Sequence, residues 1–270
     1  MKALQSPAAQ GHLAMLAFSI LVAGSFSLGA LVANEIAPIA LTAVRFLLAT
    51  LVIGALAQAS GALDRRLLVQ PWRHLILGGL FGGYFVLMFE GLKTATAVSA
   101  AAVFTLTPLL TAAFALLILR QRLAPRIGVA LLVGAAGALW VIFRGDIALA
   151  LGFRVGAGEA IYFVGCVAHA IYVPLVVRLN RGENALATTF GMLIGGTLVL
   201  MIAGGAEVAV TDWAALPALV WITLAYLTLA AGVGTFLLLQ FASLRLPSAR
   251  VMAYTYLTPS WVILWEVALG

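Results

Sequence analysis

The sequence predicts an all-α protein that crosses a membrane many times, built as two five-helix repeats of opposite orientation, ten helices in the whole protein and nine in this chain. Three observations carry that prediction. Hydrophobic residues make up 64% of the 270 residues and charged residues only 9%, with a mean hydropathy of +1.15, where a soluble domain carries roughly a quarter charged residues. Apolar stretches of about 20 residues, the length that crosses a bilayer, follow one another almost without pause. Finally, Leu106-Thr107-Pro108 and Leu257-Thr258-Pro259 place the same tripeptide 151 positions apart, both times inside an apolar run where proline breaks a helix.

The spans can be justified in order. The first, about 12–33, is longer than the apolar core of a signal peptide and is followed by eight more, so it reads as a retained helix. It carries Ser25 and Ser27 but no carboxylate. The second, about 38–58, holds Arg45, and the third, about 74–92, runs from GGLFGGY (78–84) to Glu90. The fourth, about 95–119, contains the first Leu-Thr-Pro, and the fifth covers about 125–143. The sixth, about 157–178, carries Cys166 and His169; as the lone cysteine, Cys166 excludes an intrachain disulfide. The seventh, about 185–204, contains GMLIGG (191–196), which like the glycines of the third offers a face for close helix contact. The eighth and ninth cover about 216–242 and 247–269, the last with the second Leu-Thr-Pro.

The net charge of +6 does not point to a nucleic-acid partner, because the basic residues sit in short loops between spans. Lys2, Arg65, Arg66, Arg73, Arg120, Arg122, Arg126, Arg178, Arg181, Arg245 and Arg250 fall on one side, and only Lys93, Arg144 and Arg154 on the other. That bias places the N-terminus in the cytoplasm.

An offset of 151 aligns 83–108 with 234–259. It pairs Gly83 with Gly234, Phe85 with Phe236, Leu87 with Leu238 and Ala102 with Ala253, besides the two Leu-Thr-Pro sites. Spans three and four therefore correspond to eight and nine. The repeat unit has five helices, and an odd number inverts the second unit, an arrangement common in transporters. The units are 1–150 and 151–270. In this register Gly270 meets Leu119, so a tenth helix is expected beyond it.

This layout, together with FEGLKTATAVSAAAVFTLTPLLTAAFALLILRQRL (89–123) and LQFASLRLPSARVMAYTYLTPSWVILWEVALG (239–270), resembles the drug/metabolite transporter superfamily, EamA type. One departure is Arg120-Gln121, where some members carry Gly-Glu. The stretch VAHAIYVPLVVR (167–178) looks most like the amino-acid exporters of that family. The resemblance implies secondary export of an amino acid, aromatic or otherwise neutral, across the bacterial inner membrane. It further implies alternating access in a monomer with no cofactor, and it puts His169 at a substrate cavity.

Read from the residues, polar groups deep in a bilayer mark either a cavity or a satisfied interior contact. The candidate cavity set is His169, Tyr84, Tyr256, Tyr172, Tyr254, Trp261 and Thr107; the alternative is a core histidine and ordinary aromatic packing. Pro108 and Pro259 are candidate hinges, or else static kinks. Arg45 and Glu90 are expected to form a buried charge pair, while Glu159 and Glu266 are expected at the headgroups. No Asp or Glu lies at mid-membrane, which favours facilitated movement of a zwitterion. Three scattered histidines and one cysteine offer neither an enzyme's cluster nor a metal site. Efflux of lipophilic drugs or another small metabolite is the alternative function. A cationic drug would want a buried carboxylate, and a phosphate-bearing substrate would want cavity-facing cations, of which only Arg45 qualifies.

Overall fold

The computed structural model describes residues 6–63, 65–121, 124–143, 145–146, 155–246, 251 and 253–270. The loop cations Lys2, Arg122, Arg144, Arg154 and Arg250, and the first residues of the ninth predicted span, lie outside the described residues. Among the described residues, eight helices are long and apolar enough to cross a membrane.

Local chemistry sets where the helices start. Helix α1 (Pro7–Val32) opens with Pro7 behind Ser6, whose hydroxyl accepts from the Ala9 N–H. Helices α2 (Pro38–Ala59) and α6 (Pro125–Ile142) also begin on proline, which suits the first turn because no intrahelical acceptor awaits its nitrogen. Helix α3 (Trp72–Leu92) follows a 3-10 turn at Arg65–Leu68. Thr96 caps α4 (Ala97–Phe104) through the Ser99 N–H, and Asn184 caps α8 (Ala185–Val210) through the Ala187 N–H. Helix α5 (Thr107–Leu119) ends on Arg120 in the left-handed conformation, φ 55°, a usual helix stop. Helix α7 (Ala157–Leu179) carries Pro174 within it.

Both Leu-Thr-Pro sites break their helix at the same step. In the fourth span, Thr105 and Leu106 separate α4 from α5, and Pro108 falls in the first turn of α5. In the ninth, a 3-10 turn at Tyr254–Leu257 leads into α11 (Thr258–Leu269), with Pro259 in its first turn. Leu106 at φ −75°, ψ −20° and Leu257 at φ −80°, ψ −13° have nearly the same backbone. The eighth span is irregular without proline. It runs α9 (Ala218–Ala225), a π-helical stretch at Tyr226–Gly234, then α10 (Thr235–Ser243).

Close approaches depend on glycine. A Cβ on Gly78 would run into the Gly196 backbone, and one on Gly195 into the His74 carbonyl, so the first half of α3 lies directly on α8. At the other end of α3, Gly91 and Gly158 bring α7 equally near. Thr50 and Thr197 hydroxyls meet at 3.1 Å between α2 and α8. On the other flank, α1 packs on the π stretch and α11. Tyr226 donates to the Leu21 carbonyl at 2.9 Å and Trp265 to the Ile20 carbonyl at 3.1 Å, over Gly24, where any side chain would collide with both rings. The main core, which includes Phe26, Leu41, Tyr84, Phe89, Tyr162 and Leu227, sits where these helices meet. Outward faces are apolar, as at Ile202, 85% exposed, and suit lipid.

Candidate substrate site

Helical spacing gathers the aromatic residues of α3. Phe81, Tyr84 and Phe85 recur at i, i+3 and i+4 and so share one face. That face meets His169, twelve residues into α7. The Tyr84 and His169 ring centroids are 4.8 Å apart, Phe81 and His169 5.9 Å, and Phe81 stacks on Tyr172 at 4.9 Å. Phe104 of α4 closes the group 6.4 Å from His169. The Tyr84 and Tyr162 hydroxyls are 3.0 Å apart in full burial. Three expected residues, His169, Tyr84 and Tyr172, are thus brought together.

Within and around this cluster several buried polar atoms have no hydrogen-bond partner among the described residues. They include His169 Nδ1, Thr107 Oγ1, Ser27 Oγ, Thr258 Oγ1 and Trp261 Nε1. Buried polar groups are nearly always paired, and leaving one unpaired costs about 1–3 kcal/mol. A concentration of such groups on α1, α5, α7 and α11 marks a region suited to binding polar groups. Trp261 packs on the same core, so Trp261 and Thr107 belong with this region.

Two expected cavity residues lie elsewhere. Tyr256 rests on Gly134 of α6 and lines a cavity of about 230 Å³ with Ala102, Thr105, Gly137, Ala138 and Pro259. The break of the fourth span and the proline of the ninth therefore border the same space, whereas Pro108 is buried within α5. Tyr254 pairs its hydroxyl with His12 Nδ1 at 2.8 Å, against the start of α1. It belongs to a small cluster with Met15, Leu246 and Val251.

The expected charge pair does not form. Glu90 lies near the end of α3 and bonds Lys93 one turn on, at 2.9–3.0 Å. Arg45 is 4% exposed. Its Nε donates to the Leu227 carbonyl at 3.1 Å, and its guanidinium carbon lies 3.9 Å over the Phe85 ring. A two-residue match of charge sign could not show that the end of α3 is open enough for Glu90 to find a nearer cation. Glu159 also departs from expectation: it is buried and accepts from the Ser99 hydroxyl at 2.7 Å, because α7 starts against α4 rather than at a free edge. Glu266 is exposed.

The sequence reading missed one ion pair entirely. Arg73, 2% exposed, donates to Glu183 at 2.8 Å and to the Leu179 and Val69 carbonyls at 2.6 Å. Glu183 also accepts from the Arg181 N–H at 2.6 Å. Burial pushes the Glu183 carboxyl up, but the bonds from Arg73 and from backbone N–H groups outweigh it and hold the carboxyl below its ordinary range. This pair ties the start of α3 to the α7–α8 loop. Tyr162, also missed, sits seven residues before His169 and so on the same helix face, a spacing the sequence does contain.

Comparison with known proteins places the chain. The EamA-like transporter family matches over residues 9–143, half of the chain, from α1 to the residue after α6. A curated relative, the uncharacterized transporter YyaM of Bacillus subtilis (strain 168), is 29% identical over 195 residues; the match covers 71% of this chain and 64% of the relative's length. A crystal structure of another protein superposes with a TM-score of 0.63 over 98% of this chain and 88% of its own, at 24% identity, a likeness of fold. A helical bundle with two proline-broken spans, an aromatic and polar interior, and a family match over its first half lead to one assignment: the chain belongs to the EamA-like transporter family.

Proposed function

We propose that this transporter exports amino acids, aromatic or otherwise neutral, across the bacterial inner membrane, with its N-terminus in the cytoplasm. The observation that carries the reading is the cluster of buried Tyr84 with half-buried His169 and Tyr172, beside buried polar atoms without partners among the described residues. Aromatic faces suit an apolar side chain, and scattered single donors and acceptors suit a small zwitterion. The resemblance of 167–178 to the amino-acid exporter YddG supports the same substrate class. Purified protein in proteoliposomes should take up labelled phenylalanine down its gradient, with and without a pH gradient. Absence of uptake for a panel of neutral amino acids would sink the reading and favour another small metabolite.

Alternating access is assigned to the two sequence repeats, 1–150 and 151–270, with Pro108 and Pro259 as hinges. Proline removes a backbone donor and so weakens the helix locally, and the two breaks lie in helices of opposite direction. Pro108→Ala and Pro259→Ala, made singly, should bias accessibility labelling to opposite sides of the membrane. If both label and transport like the parent, the prolines serve packing alone.

A further inference from the structure

Arg45 is the polar residue that the arrangement above does not use. It stands seven residues into α2, about 10 Å along the helix from the end where α2 begins, and it is almost fully buried. A guanidinium has five N–H donors in a planar fork. Here Nε is taken by the Leu227 carbonyl, at the start of the π stretch. The face of the group is covered by Phe85. Nη1 is buried and has no partner among the described residues, and no carboxylate lies within 4 Å of Arg45 there.

The surroundings connect Arg45 to the candidate site. Phe85, on which Arg45 lies, is 4.7 Å from the Tyr84 ring, and Tyr84 is 4.8 Å from His169. A buried cation with an unpartnered Nη1, the rings of Phe85, Tyr84 and His169 in series, and an unpartnered imidazole nitrogen thus share one interior. Keeping a charge in such surroundings without a counter-ion is costly. That cost is relieved when a planar anion meets the fork, since carboxylate and guanidinium match in geometry.

From this geometry we infer that Arg45 is the receptor for the carboxylate of the transported molecule, using Nη1 while Nε stays on Leu227. This rests on the amino-acid reading for its substrate, but the site it defines is for aryl or alkyl carboxylates in general. The substrate's side chain then lies along Phe85 and Tyr84 towards His169. Because the same guanidinium holds Leu227, carboxylate binding is coupled to the one non-α stretch of the eighth span. The competing role is a brace that only holds the π stretch, without touching substrate.

The test uses the purified full chain and three probes: L-phenylalanine, L-phenylalaninamide and 3-phenylpropionate. Binding is read by thermal stabilisation, and transport by counterflow in proteoliposomes. In the parent, the two carboxylates should bind about tenfold or more tightly than the amide, as expected for loss of a charge-assisted bond. Arg45→Gln should erase that preference while leaving amide binding unchanged. Arg45→Lys, which keeps the charge, should retain a reduced preference and carries the test if Arg45→Gln does not fold. Equal weakening of all three probes in both variants, or an undiminished preference for carboxylate in Arg45→Gln, would overturn the inference in favour of the brace. Phenylalanine transport with no discrimination against the amide sinks the Arg45 site and leaves the export reading standing. Arg45-dependent binding of 3-phenylpropionate without phenylalanine transport does the reverse. No binding of any probe rejects both.

Discussion

Two buried arginines in this bundle are treated in opposite ways. Arg73 uses all three of its nitrogens, on two backbone carbonyls at 2.6 Å, weaker contacts to Val69 and Gln70, and the Glu183 carboxylate. Among the described residues Arg45 donates one hydrogen bond and lies on one ring. Both are nearly inaccessible, so burial does not separate them; completeness of hydrogen bonding does. A saturated guanidinium fixes two segments together and has nothing left to give. A half-used one in the interior of a transport protein keeps its directionality for something that arrives.

Perturbing the saturated site should have the largest effect. Glu183→Ala removes the charge-assisted bond from Arg73 and the acceptor for the Arg181 N–H, so it should lower stability by about 1.5–3 kcal/mol, read from thermal unfolding in detergent. The Arg73→Ala/Glu183→Ala double variant should lose less than the two single losses summed; simple additivity would show that the pair is not coupled. At the adjoining glycine contact, Gly78→Ala should cost about 1–3 kcal/mol by overpacking against the Gly196 backbone; a neutral result would mean that α3 and α8 part easily. Acid should act on the same pair. The Glu183 carboxyl is depressed in the folded protein, so its contribution is fully present above the unfolded value and is lost as pH falls through the folded one. Unfolding temperature should therefore drop on acidification below the ordinary glutamate range, and Glu183→Gln should flatten that drop. At the other site the sign of the contrast reverses. His169→Ala has no Nδ1 bond to lose but gives up ring packing on Phe81, Tyr84 and Tyr172, about 2 kcal/mol, yet should abolish most transport in the protein that reaches the membrane. Full transport in that variant would return His169 to the packing of the core.

The fold was legible because its physics is coarse. Spans of lipid-crossing length and the Thr107-Pro108 and Thr258-Pro259 breaks follow from composition and from the missing proline donor, and both breaks fall where the tripeptides stand. The partners of Arg45 and Glu90 were not legible. Helices that are apolar nearly all round give no periodic sign of which face turns inward, so a charge on one cannot be matched to a charge on another. Tyr254 and Tyr256 illustrate the same limit: they are two positions apart on a 3-10 turn, and one reaches His12 while the other lies on Gly134. Glu183 was overlooked because a lone loop carboxylate in a polar loop carries no mark of burial until α3 and α8 are seen to close around it.

The π stretch has a consequence for how the two repeats are related. A π turn closes each hydrogen bond over one residue more than an α turn, so a helix can absorb an inserted residue there without ending. The offset of 151 begins to give identities at Gly83 and Gly234, and Gly234 is the last residue of the π stretch. Upstream, over Trp72–Gly82, that offset gives none, while an offset of 150 pairs Leu77 with Leu227 and Gly82 with Gly232. In the proposed repeat these two pairs put the copies out of step by one residue at this point. In an uninterrupted α-helix one extra residue would turn every later side chain by about 100° about the helix axis; a π turn takes up the extra residue and limits that rotation. Among the described residues the eighth span carries this π stretch, whereas α3, its counterpart in the proposed repeat, is α-helical from Trp72 to Leu92.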